Sequence, residues 1–157
     1  MIITKNPIMK KLSIGISTLE KIRNENFVYI DKTQHVVRLF SAGKYYFLSR
    51  PRRFGKSLLV DTLKQAFLGC KDLFVGLYLE NNWDWDKQYP VIHFSFGEGN
   101  LASLDELNSK INRFLDEYYL RYAVENLHTE VSSRFAYLIE QLAKHHASVV
   151  VFIDEYD

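Results

Sequence analysis

Apolar positions in this chain fall into short unbroken runs and longer helical repeats, and the two alternate. Tyr45-Tyr46-Phe47-Leu48, Tyr89-Pro90-Val91-Ile92-His93-Phe94-Ser95-Phe96 and Val149-Val150-Val151-Phe152-Ile153 are the runs. Their β-branched and aromatic content predicts buried strands. Pro90 stands at the entry of the second, where a missing N–H is tolerated, and Gly97 and Gly99 end it. Between the runs, Leu58, Leu59, Thr62, Leu63, Ala66 and Phe67 recur at helical spacing. Leu104, Leu107, Ile111, Phe114, Leu115 and Tyr118 repeat in a 3-4-3 pattern behind Ser103-Leu104-Asp105-Glu106, a capping box. Val131, Phe135, Leu138, Ile139 and Leu142 predict a further helix over about Glu130 to His145. His145 and His146 mark its end rather than a metal site, because adjacent helical residues point in different directions.

The first third is patterned more weakly. Ser17-Thr18-Leu19-Glu20 is a second capping box, opening a short helix from Thr18 to Asn24. Phe27-Val28-Tyr29-Ile30 is a small strand candidate. A helix over Thr33 to Ala42 has Val36, Val37, Leu39 and Phe40 as its apolar side, with Asp31 and Thr33 as caps and Gly43 as its stop. Gly69 and Gly76 signal turns, and Trp83 and Trp85 are best read as anchors for a long loop. His93 has no companion at metal-ligand spacing and reads as a satisfied histidine of the strand. The order of strand, loop, helix, strand, helices, strand predicts an α/β domain whose parallel sheet carries helices on both faces.

Composition narrows the class. A chain of 157 residues, 47% hydrophobic and 25% charged, suits one globular domain. Twenty basic against nineteen acidic residues leave a net charge of +1, without the basic excess of a non-specific nucleic-acid binder. The single cysteine, Cys70, excludes an internal disulfide and fits a reducing compartment. No run approaches the roughly 18 apolar residues of a membrane span, and the run after Lys10 and Lys11 is too short for a signal peptide. A cytoplasmic protein without membrane contact is expected, with Met1 to Ile8 as a lead-in.

Two motifs carry chemistry. Arg50-Pro51-Arg52-Arg53-Phe54-Gly55-Lys56-Ser57 follows the phosphate-loop pattern, with Arg50 where the first glycine is expected. Gly55 lets backbone amides approach phosphate oxygens, Lys56 can reach the β- and γ-phosphates, and the Ser57 hydroxyl is placed to ligate Mg²⁺. The helix that follows points its positive end at the same place. At the other end of the chain, Asp154 and Glu155 close the last apolar run, where ligands bind in open α/β sheets. Asp154 is the candidate for the Mg²⁺ shell and Glu155 for deprotonating the attacking water.

With both motifs in view, the chain resembles a bacterial and archaeal AAA-ATPase-like family. Ile14-Gly15-Ile16-Ser17, Tyr29-Ile30-Asp31-Lys32-Thr33, Ser49 to Ser57 and Ile153-Asp154-Glu155-Tyr156-Asp157 carry the resemblance, which covers nearly everything from Met9 on. Arginine in place of the first glycine is a habit of that family. The resemblance implies a P-loop NTPase fold, three-layer α/β/α, with nucleotide contact at Lys56 and Ser57, metal at Asp154 and the catalytic carboxylate at Glu155. ATP and Mg²⁺ are the implied ligands. It also implies a helical segment over residues 9–44 and a nucleotide-binding core over residues 45–157. The family's sheet runs in the order fifth, first, fourth, third, second strand. This chain offers the first three, so it is expected to be the N-terminal part of a longer protein, and a PD-(D/E)XK nuclease-like domain often follows in the family.

Other functions are weaker. A non-hydrolysing nucleotide sensor or partner-binding module is the alternative. No Asn-Lys-x-Asp motif supports a GTPase, and nothing marks a small-molecule kinase pocket. Arg50, Arg52 and Arg53 lie on the phosphate loop, so a triphosphate is their nearest natural anion, and nucleic acid is expected only through a domain outside this chain. Many AAA-like ATPases form rings, so a homo-oligomer is compatible with this reading.

Overall fold

The computed structural model describes residues 10–97, 103–146 and 148–155. Met1–Ile8, Gly99 and the Tyr156-Asp157 ending of the resemblance lie outside the described residues. The described chain is α/β and divides into two compact units. One comprises residues 10–66 with Cys70–Trp85, the other Phe67–Gly69 with the described residues from Asp86 on.

The first unit holds α1 (Leu19–Asn24), α2 (Gln34–Ala42), nearly all of α3 (Lys56–Phe67) and 3-10 turns at Lys71–Phe74 and Tyr78–Asn81. A six-residue helix such as α1 is not stable alone, so burial of Leu19 and Ile22 must hold it. The capping box expected at Ser17 is not what starts it. Thr18 occupies the N-cap without a side-chain cap bond, and the Leu19 amide donates instead to Asp61 Oδ2 on α3 at 2.6 Å. An ionised acceptor from a neighbouring helix makes a stronger bond than a local hydroxyl.

The Asp31–Thr33 pair does more than cap α2. Asp31 Oδ1 accepts from the Thr33 amide at 2.8 Å and its hydroxyl at 2.7 Å, while Oδ2 accepts from the Tyr78 amide at 2.6 Å. The Thr33 hydroxyl in turn accepts from the Leu79 amide at 3.1 Å. The pair thus ties the start of α2 to the second 3-10 turn. Burial pushes the Asp31 carboxyl up, but the bonds from Tyr78 and Thr33, with Arg23 nearby, bring it below its ordinary value. Leu19, Val36, Ala66, Phe74, Leu77 and Leu79 form the core of this unit. The tryptophans are anchors as expected: Trp83 meets Phe40 edge-on at 5.2 Å, and Trp85 packs on Phe74 at 5.1 Å while its Nε1 donates to the Glu80 carbonyl.

Two strand expectations fail here. Phe27–Ile30 is not a strand, although the Val28 amide donates to the Lys11 carbonyl at 2.8 Å. Tyr45–Leu48 joins no sheet among the described residues, and Tyr45 is 95% and Phe47 78% exposed. Composition shows that such a run can be a strand but not which strand pairs with it.

The second unit contains β1 (Val91–Ser95), α4 (Leu104–Arg121), α5 (Val131–His145) and β2 (Val150–Asp154). The strands pair in parallel, with Ile92 opposite Val151, Phe94 opposite Ile153 and Ser95 opposite Asp154. The ladder runs on through the Val150 amide to the Pro90 carbonyl and the Phe96 amide to the Asp154 carbonyl. Even-numbered residues of β1 therefore turn their backbone groups to β2, and Val91 and His93 turn theirs outward.

Tyr118 of α4 and Tyr122, which caps that helix, take up the outward edge. The Val91 amide donates to the Tyr122 hydroxyl at 2.8 Å, which donates back to the Val91 carbonyl at 3.0 Å. His93 makes the same exchange with Tyr118, at 2.6 and 3.0 Å. An i, i+4 helical step and an i, i+2 strand step have nearly the same length, which lets the two rows match.

Ile92 and Phe94 pack beneath α4 and α5 with Leu115, Tyr118, Tyr119, Leu138 and Leu142. The corresponding residues of β2, Val151 and Ile153, are 36% and 56% exposed, so β2 is not the fully buried strand its composition predicts. Leu104, expected on the apolar side of α4, is also exposed, whereas Tyr119 is buried. Ser103 does cap α4, accepting from the Glu106 amide at 3.2 Å. Arg134 of α5 is buried although its residue type predicts exposure. Its two terminal nitrogens donate to Asn112 and Asp116, its buried Nε makes no hydrogen bond among the described residues, and the guanidinium lies over the Tyr119 ring. No helix among the described residues is long and apolar enough to cross a membrane.

Candidate functional site

The sequence-predicted residues fall into two groups, one in each unit. Arg50 to Gly55 form an exposed loop in the first unit, and Lys56 and Ser57 open α3 as its first two residues. The first turn of any helix lacks i−4 carbonyl partners for its amides, and here the Leu59 amide bonds to the Gly55 carbonyl at 3.0 Å. The amides before it open onto the loop.

Backbone angles shape that loop. Arg53 has φ 67° and Gly55 φ 77°, both left-handed. Left-handed residues interspersed among ordinary ones turn successive amides to one side, the geometry of an anion-binding nest. A Cβ at Gly55 would meet no atom within 4 Å, so glycine is needed there for its backbone angle, and the space beside it is open. Four cationic side chains, Arg50, Arg52, Arg53 and Lys56, lie on or beside the turn. Exposed cations, a left-handed turn and a helix N-terminus together suit a polyphosphate. Further along α3, Thr62 is buried, donating to the Leu58 carbonyl at 2.7 Å with the Tyr29 hydroxyl 3.5 Å away. The helix is therefore held from its second turn.

Asp154 and Glu155 lie in the second unit at the carboxyl end of β2. Asp154 is only 8% exposed, and its Oδ1 accepts from the Glu155 amide at 3.0 Å. Glu155 is exposed and has φ 57°, a conformation that costs a non-glycine residue about 1–2 kcal/mol. Its Oε2 lies 3.4 Å from the Ser95 hydroxyl, at the carboxyl end of β1. The same carboxylate occupies the space where a side chain on Gly97 would be. The sequence pattern marks Ser95 only as part of a strand and Gly97 only as its terminator. Strand register alone brings both to Glu155.

Among the described residues no group of three His, Cys, Asp or Glu side chains could hold a metal. Ser57 and Asp154, the residues expected to hold Mg²⁺, belong to different units. His93 stacks edge-on against Phe152 within the sheet, and His145 and His146 end α5. Burial, with Glu20 and Asp61 nearby, pushes the Cys70 thiol up, which suits packing rather than nucleophilic chemistry.

Comparison with known proteins bears on both groups. A family profile described as "Predicted AAA-ATPase" matches residues 13–157. A protein of Azotobacter chroococcum mcd 1, described as an uncharacterized protein in the vnfD 5' region, is 43% identical over 153 residues. That match covers 94% of this chain and 29% of the Azotobacter protein, so the chain spans less than a third of its relative's length. No solved structure gives a significant match.

Proposed function

The chain belongs to the AAA-ATPase-like family, and we propose that it binds ATP with Mg²⁺ and supports ATP hydrolysis. The observation that carries this reading is the exposed loop with left-handed Arg53 and Gly55 running into α3 at Lys56 and Ser57. In this proposal the amides of residues 50–57 cradle the phosphates, and Lys56 binds the β- and γ-phosphates. Arg50, Arg52 and Arg53 add charge around them. Ser57 and Asp154 hold Mg²⁺, which neutralises charge on the phosphates when bound. Glu155 takes the proton of the attacking water. We further propose that residues 9–44 form a helical segment ahead of a P-loop core of the three-layer α/β/α type. A ring that completes the site in trans, a cytoplasmic location and the work done with the energy are proposals for the whole protein.

The test is steady-state ATP turnover by the protein at its natural full length, beside Glu155→Gln. A positioned general base contributes typically about 10²–10⁴-fold, so the variant should keep its nucleotide affinity and lose turnover by at least about 100-fold. Equal turnover in the variant would remove Glu155 from the role of base.

A further inference from the structure

We propose that Gly97 is a positioning residue for Glu155: its missing side chain makes the seat in which the Glu155 carboxylate rests. This rests on the reading of Glu155 as the base. Four observations carry it. A Cβ built on Gly97 collides with both the Oε2 and the carboxyl carbon of Glu155, and the three atoms nearest to it all belong to that carboxylate. The Gly97 backbone is not in the left-handed region, so alanine is conformationally admissible there and space alone excludes it. Glu155 itself is held left-handed at φ 57°, which shows its surroundings dictating its direction. The Ser95 hydroxyl, 3.4 Å from Oε2, gives the seated carboxylate a donor.

The seat follows from the sheet. Ser95 and Asp154 are register partners, and the Phe96 amide bonds to the Asp154 carbonyl, so the chain leaving β1 runs beside the residue leaving β2. Glu155 steps off the strand in a left-handed turn and lays its carboxylate against Gly97. A carboxylate on a flexible side chain yields more readily than two paired strands. Gly97→Ala therefore displaces the carboxylate and leaves the fold in place. A base that must lie within hydrogen-bond reach of its water is sensitive to such a shift.

The experiment is a double-mutant cycle on ATP turnover with Gly97→Ala, Glu155→Gln and both together, at natural full length. Gly97→Ala should lower kcat at least ten-fold with ATP affinity within two-fold of wild type, and should add nothing to Glu155→Gln. A kcat within two-fold of wild type overturns the proposal, and so does an equal loss in the Glu155→Gln background. Unchanged turnover in Glu155→Gln alone would instead overturn the role of Glu155 as base. A second measurement judges the seat without turnover: in amide NMR spectra the Gly97 resonance should move on Glu155→Ala, which removes the carboxylate from beside it. A Gly97 resonance indifferent to that substitution overturns the proposal.

Discussion

Replacing Tyr118 and Tyr122 with phenylalanine tests the account of the sheet. Each hydroxyl accepts from one β1 amide and donates to the carbonyl of the same residue, so each substitution strands one donor and one acceptor while keeping the ring. A buried polar group left without a partner costs about 1–3 kcal/mol. Val91 is 1% exposed but His93 and the Tyr122 ring are half-buried, and partial access for water brings the expected loss to the lower part of that range. We expect about 1–2 kcal/mol for each single variant and about 2–4 kcal/mol for the pair in urea unfolding, with imperfect additivity between neighbours. Thermal midpoints should fall by about 2–4 °C per kcal/mol.

Two further readouts belong to the same perturbation. An edge stripped of its hydroxyl partners can pair with another chain, so the double variant should self-associate in sedimentation at concentrations where the wild type does not. Burial also raises the Tyr118 phenol above its ordinary 10.0, more than its bond to His93 lowers it. Stability from that group is therefore complete below pH 10.0 and is lost as pH rises through the raised value, so Tyr118→Phe should flatten the alkaline loss. Single variants both within about 0.5 kcal/mol of wild type would refute the reasoning, because a satisfied buried edge cannot lose its partners without cost.

Other outcomes follow from the first unit. Asp61→Ala removes the acceptor at the start of α1 and should cost about 0.5–2 kcal/mol in chemical unfolding, as loss of an N-cap does. Ser17→Ala should be silent in the same assay, since no side chain of the N-cap caps the helix. Asp31→Asn should lower the thermal midpoint at neutral pH. The Asp31 carboxyl lies below its ordinary 3.8 when folded, so its contribution is present above that value and lost as pH falls through the lowered one. The gap between wild type and variant should close in acid.

The parts legible in advance were those whose signal is local. Leu107, Ile111, Leu115 and Tyr118 repeat over enough turns to define α4, and Leu138 and Leu142 do the same for α5. The Arg50–Ser57 and Asp154–Glu155 patterns are contiguous, so they can be picked out without knowing what surrounds them, and their role is a proposal. What escaped depends on partners remote in sequence. Asp61 displaces the Ser17 capping box from 42 residues beyond the bond it makes. Tyr118 reads as part of an apolar stripe and nothing in the pattern marks Tyr122, so only the strand beneath shows that their hydroxyls are the working atoms. Arg134 is buried because Asn112 and Asp116 happen to meet it, a coincidence periodicity does not register. The Tyr45–Leu48 run has strand composition, yet composition is silent about pairing.

Binding of a nucleoside triphosphate by the loop at Arg50–Ser57 is read from a thermal melt with and without Mg²⁺·ATP. Ligand at 100 times its Kd stabilises by about 2.7 kcal/mol, which for a chain of this size is a rise of roughly 5–10 °C. That rise is expected for the wild type and is lost in Lys56→Ala, with the melt in the absence of nucleotide unchanged. No rise in the wild type, or an equal rise in Lys56→Ala, would contradict it.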